Sequence, residues 1–145
     1  MKKKIQRAFW GVNLGSGIGL YEAEGLDRYS TQEELAAYRA KDERSNWQAL
    51  NLEDLNRCNC SLSYFDPEGM RFHLPAYLIA DLEGIYRFDL VFTLIQSDHL
   101  EEKFSLLNPD QRAAIRSYLE LVQSDPDYKF EKDEIRQALD NFWSR

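Results

Sequence analysis

The feature that most constrains this chain is the run LPAYLIA at 74–80, seven residues without a charge and with a proline at the second position. The longer segment PAYLIADLE at 75–83 is apolar around most of a helical circumference, which predicts a helix buried on several sides rather than one lying on a surface. It is far too short to cross a bilayer, which takes about 20 apolar residues. Pro75 has no amide to give to the carbonyl of Arg71, and its ring disfavours a helical Leu74. The segment therefore reads as a kinked or broken central helix pair over about 67–83. Asp66-Pro67 resembles a helix start, with a carboxylate over exposed amides and a proline at the first helical position. The same DPEG at 66–69 also satisfies a type I turn, and both readings stay open. Gly84 is expected to close the second piece in the left-handed conformation. Burial of Leu74, Leu78, Ile79 and Leu82, at about 1.5–3 kcal/mol each, outweighs the roughly 3 kcal/mol cost of a mid-helix proline.

Local start and stop signals divide the rest of the chain into short helices. Ile5, Phe9 and Val12 recur at i, i+4 and i+7, predicting a first helix that ends between Gly11 and Gly15. GSGIG at 15–19 reads as a turn and not a phosphate loop, because no Lys-Ser/Thr pair follows and no clear strand precedes it. Ser30 and Glu33 match a capping box, predicting a surface helix over about 31–44 with a thin apolar face. Trp47, Leu50, Leu52 and Leu55 are spaced for a helical turn or two, with Asn51 capping a segment from Leu52. Cys58, Cys60, Leu62 and Tyr64 alternate with polar residues, which predicts a short extended stretch. Phe88, Val91, Phe92 and Ile95 favour a helix by spacing, while their β-branched and aromatic content leaves a strand open.

The C-terminal third is clearer. Leu100, Phe104 and Leu107 mark a short helix, and Asn108-Pro109-Asp110-Gln111 combines a cap, a proline at the first position and a glutamine three past the cap. Ile115, Tyr118, Leu119 and Val122 then form one apolar face. Ser124-Asp125-Pro126 turns the chain, and Ile135, Leu139 and Phe142 line a last helix ending near Trp143. No internal repeat or linker interrupts the pattern. The expected fold class is mainly α, a single compact helical domain over residues 1–145 with one or two short extended segments at most.

Charge bears on partners. The 145 residues carry a formal net charge of −7. Lys2, Lys3, Lys4 and Arg7 stand in the first seven residues without an acid, so the remainder holds 14 basic against 25 acidic groups, or −11. A body this acidic repels phosphate backbones, so nucleic acid is not expected as a partner; a basic protein is. The basic opening is not expected to act as a signal peptide, because Gln6 and Arg7 interrupt the apolar region and no cleavage site follows. With no spanning segment and two cysteines too close in sequence for an unstrained disulfide, a cytoplasmic location without membrane association is expected.

Residues able to do chemistry are few. His73, Tyr77 and Asp81 are spaced by four, so a mild kink would leave an imidazole, a phenol and a carboxylate along one ridge. They are the candidate catalytic residues of an alternative reading, a small enzyme; the plainer reading is a hydrogen-bonded polar seam. Cys58 and Cys60 supply two thiols where a closed zinc site needs four ligands, so no metal and no cofactor is expected. Glu101 with Glu102, and Asp125 with Asp127, read as solvated acids. No serine elbow or zinc-protease signature is present.

The runs RFHLPAYLIADL at 71–82 and QRAAIRSYLELV at 111–122, with the tryptophan region around Trp47, resemble blocks in a family of small uncharacterised bacterial proteins. The first run is the more specific, since a proline inside an apolar helix is unusual. The resemblance implies a bacterial source and a small single domain, and it transfers no catalytic residue. The functional expectation is an acidic protein–protein interaction module of immunity or regulatory type.

Overall fold

The structure, a computed structural model, describes residues 1–96 and 98–145. Among these residues the chain forms nine α-helices joined by short 3-10 turns, and no strand. The helices are α1 (Lys2–Ala8), α2 (Leu20–Asp27), α3 (Gln32–Lys41), α4 (Leu52–Arg57), α5 (Pro67–Leu82), α6 (Leu90–Ile95), α7 (Leu100–Lys103), α8 (Pro109–Gln123) and α9 (Lys132–Ala138). Most are two turns or shorter, and isolated helices under about 12–15 residues are marginal in water, so packing holds them.

The packing centres on α5, which touches α1, α4, α6 and α7. Every residue from Phe72 to Ala80 is buried, as the all-round apolar pattern requires. The Asp66 side chain caps the helix by accepting from the Gly69 amide at 2.8 Å, with Pro67 in the first turn, so the turn alternative for 66–69 gives way to a helix start. Past Leu82 the chain closes with Gly84 at φ 75°. One expectation changes. The helix is not broken into a pair: it runs continuously from Pro67 to Leu82 with Pro75 inside it. Burial on several sides outweighs one missing hydrogen bond, which is the balance the apolar residues around Pro75 predict.

Asp66 has a second task. The same oxygen accepts from the Ile18 amide at 3.0 Å, pinning the glycine-rich turn to the start of α5. A Cβ on Gly69 would stand 2.5 Å from the Ile18 carbonyl oxygen, so the approach of the two backbones needs glycine there. Arg39 and Arg44 hold the turn from outside, donating to the carbonyls of Gly15, Ser16 and Gly17. A phosphate loop presents amides to an anion; this one presents carbonyls to guanidinium groups.

Two other local readings shift for visible reasons. The capping box is Thr31 with Glu34, one residue later than Ser30 with Glu33, because the Ser30 amide is used to close α2 on the Gly25 carbonyl at 3.0 Å. Residues Asn59–Ser63 form a 3-10 turn and not an extended stretch. There Cys58, Ser61 and Leu62 are the buried residues, a spacing of three to four, while Cys60 and Tyr64 face out. The segment around 88–95 is helical, as α6, with the Asp89 side chain capping it from outside. Caps at Asn51, and at Asn108 with Gln111, stand where the sequence places them.

The chain ends in an irregular turn. After α9, residues Leu139–Trp143 form a π-turn, with the Ser144 amide bonded to the Leu139 carbonyl five residues back. Phe142 and Trp143 are both buried and meet edge to face at 4.8 Å between ring centroids. Arg112 of α8 lies 4.4 Å from the Phe142 ring centroid and donates to its carbonyl, and Arg116 donates to the Trp143 carbonyl at 2.8 Å. Two guanidinium groups thus satisfy carbonyls that a helix end leaves without partners.

Candidate functional site

His73, Tyr77 and Asp81 lie along α5, yet each is bonded to a different neighbour. The His73 ring donates from Nδ1 to the Gly69 carbonyl at 2.6 Å and stacks on Phe65 at 4.2 Å. Its Nε2 then carries the lone pair, buried and without a protein partner. Burial lowers the His73 pKa to about 4, against a smaller upward pull from the Gly69 hydrogen bond. Tyr77 donates its hydroxyl to the Cys58 carbonyl at 3.0 Å, at the end of α4, and burial pushes its pKa well up. Asp81 accepts from the Tyr118 hydroxyl across the α5–α8 contact. Burial raises the Asp81 carboxyl, and the tyrosine bond partly reverses that. No hydrogen bond among the described residues joins the three to one another.

The two thiols are equally separate. Cys58 is buried and donates to Glu24 at 2.8 Å, and burial, with that hydrogen bond, pushes its pKa up to about 12. Cys60 is exposed, and its pKa too is raised, first by desolvation and then by Asp27 and Glu24. Thiolates are the metal ligands and nucleophiles, and both raised values favour the thiol form.

A concave surface lies elsewhere, a cleft of about 820 Å³ lined by residues from the end of α6, the start of α7, and α9 with the turn after it. Its apolar part comes from Phe92, Ile95, Leu100, Ala138 and Phe142. Asp98, Glu101, Glu102 and Glu134 bring four carboxylates to it, against one guanidinium, Arg145. Arg145 is bonded to Glu101 at 2.7 Å, so the balance around the cleft remains negative. His99, with its side chain mostly in solvent, begins α7 in the left-handed conformation at φ 74°. Strained backbone of this kind concentrates where a loop is held for a purpose, and so do π-turns, of which one supplies Asn141 and Phe142 to the opposite wall.

The chain belongs to a family of unknown function. The match to that family (DUF6714) spans residues 1–145. Neither a search of curated proteins nor one of solved structures gave a match. Membership agrees with the expectation of a family without an assigned role, and it assigns no chemistry to any residue.

The cleft residues were not legible as a site. Glu101 and Glu102 read as solvated acids, and both are indeed exposed. What the sequence could not show is that α7 brings them to the cleft lined from the other side by Glu134 and Gln137 of α9 and by Asn141 of the π-turn.

Proposed function

We propose that the protein is an interaction module whose cleft receives a basic, partly apolar segment of a protein partner. One observation carries the reading: four carboxylates line the same cleft as the apolar side chains of Leu100, Ala138 and Phe142. Apolar burial supplies affinity in such a groove, while the acidic rim selects a cationic ligand and steers its approach. The −11 body outside the first seven residues acts in the same direction at longer range. An immunity or regulatory role in the cytoplasm suits a module of this kind, with Cys58 and Cys60 kept as thiols.

The test is fluorescence anisotropy with a labelled amphipathic peptide containing lysine, arginine and leucine, beside a version with every cation replaced by glutamate. The cationic peptide is expected to bind, with affinity falling at least tenfold on moving from low salt to ~0.5 M, where the screening length drops to a few ångströms. Glu102→Lys with Glu134→Lys is expected to abolish it. Equal binding of the two peptides, or binding unaffected by the double reversal, would sink the reading.

A further inference from the structure

Trp10 is 77% exposed, whereas Trp47 and Trp143 are buried. An indole left in water beside cations is an anchor without a pocket, since tryptophan and arginine are the residues that most often carry binding energy at interfaces. Lys3 and Arg7, at i and i+4 on the outside of α1, away from the buried Ile5, line a shallow hollow together with Gln6 and with Trp10 of the turn that follows the helix. Lys2 is paired with Glu83, and Lys4 donates to Ser117. Lys3 and Arg7 form no ion pair among the described residues. By contrast Phe130, another exposed aromatic, already has Lys129 5.0 Å from its ring centroid. The outside of α1 and the turn after it therefore form a cationic, aromatic patch on an otherwise acidic protein.

The cleft of the same molecule has the opposite character. Exposed Phe92, with the buried Leu100 and Phe142, gives it apolar lining against which an indole can pack. Asp98, Glu102 and Glu134 line the same cleft and supply carboxylates to cations. We propose that the cleft of one copy receives Trp10, Lys3 and Arg7 of a second copy, so that the protein associates head to tail. This rests on the cleft being a docking site for basic segments and names one occupant. The two surfaces share no residue, so every copy presents both. Such a heterologous contact gives rings if the rotation closes and open chains if it does not. The patch spans about two helical turns, which places the contact among weak interfaces of under ~1,200 Å². Self-association then competes with any basic partner for the cleft.

Sedimentation equilibrium of the full chain tests this at low salt and at ~0.5 M, where surface charges are screened. The parent is expected to rise in mass with concentration at low salt and to revert at high salt. Two variants carry the argument: Trp10→Ala with Lys3→Glu and Arg7→Glu, and Glu102→Lys with Glu134→Lys. All five side chains are exposed, so both variants are expected to keep the parent's circular dichroism. Each alone should be monomeric. Mixed in equal amounts they should form a dimer and nothing larger, because one retains only a cleft and the other only a patch. A parent that stays monomeric near ~1 mM at low salt, association that survives either variant, or a mixture that does not pair overturns the proposal. If the parent is monomeric while the cationic peptide still occupies the cleft, self-association alone is lost. If the peptide fails as well, the docking reading goes with it.

Discussion

The indole Nε1 of Trp143 donates to the carbonyl of Leu94 at 2.9 Å, joining the last turn of the chain to α6 across 49 residues. Leu94 lies in the last turn of a six-residue helix, where carbonyls have no partner within the helix itself. The bond thus satisfies an orphan acceptor and fixes one wall of the cleft to the other. Trp143→Phe keeps most of the ring but strands the carbonyl, and about 1–3 kcal/mol of stability should be lost. Trp143→Ala should cost about 3–5 kcal/mol, since the void is added. Urea unfolding gives both values, and a Trp143→Phe protein as stable as the parent would show that the bond contributes nothing.

Two helices end in the same way with different residues at the critical position. In α5 the Ile85 amide bonds to the Ala80 carbonyl and the Gly84 amide to that of Asp81; in α2, Ser30 bonds to Gly25 and Tyr29 to Leu26. Both are the paired closure that needs a left-handed residue, and these are Gly84 at φ 75° and Tyr29 at φ 56°. Tyr29 is 92% exposed, so little packing offsets its strain. Tyr29→Gly should raise stability by about 1 kcal/mol, and Gly84→Ala, with open space around the new methyl, should lower it by about as much. Thermal melts in which the two changes shift Tm in the same direction would contradict the strain argument.

These examples mark the border of what the sequence shows. Asp66, Asn51 and the Asn108–Gln111 pair were legible because a cap and its target lie within three residues. The polar groups that close the other short helices come from far away. Trp47 bonds to the Phe9 carbonyl 38 residues off, Tyr77 to that of Cys58, and Arg112 to that of Phe142. No local pattern encodes such partners, which is why Trp143 appears in the sequence only as a helix end and in the structure as a fully buried anchor. The candidate seam was legible as a spacing, but which carbonyl or hydroxyl each side chain would meet depends on α4 and α8. The cleft escaped for the same reason, since its two walls are separated by more than 30 residues of chain.

His73 makes stability depend on pH. In the unfolded chain an imidazole binds a proton below about pH 6.5; in the fold, burial holds the pKa near about 4. The unfolded state therefore takes up the proton first, and the contribution is present above pH ~6.5 and is lost as pH falls toward the folded value. Its full size is about 3 kcal/mol. Asp42 and Asp81, whose carboxyls burial raises, act in the opposite direction. Comparing the parent with His73→Phe, in urea at several pH values, cancels them. The parent should lose about 2–3 kcal/mol more than the variant between pH ~7.5 and ~4.5. Parallel curves for the two proteins would mean that His73 is not held neutral by the fold.

The continuous helix through Pro75 sets the last expectation. The proline withholds a hydrogen bond from the Arg71 carbonyl, and a proline in a helix interior stands about 3 kcal/mol below alanine. Pro75→Ala restores the amide but removes about two buried methylenes from the core, near 0.8 kcal/mol each. The first effect is larger, so the variant should gain about 1 kcal/mol. Leu78→Ala, three residues on and fully buried in the same helix, restores nothing and opens a void, which costs about 2–5 kcal/mol. Denaturant melts should therefore order the proteins Pro75→Ala, parent, Leu78→Ala from most to least stable. A Pro75→Ala protein much weaker than the parent would mean that the ring's packing, not the missing amide, decides the fate of α5.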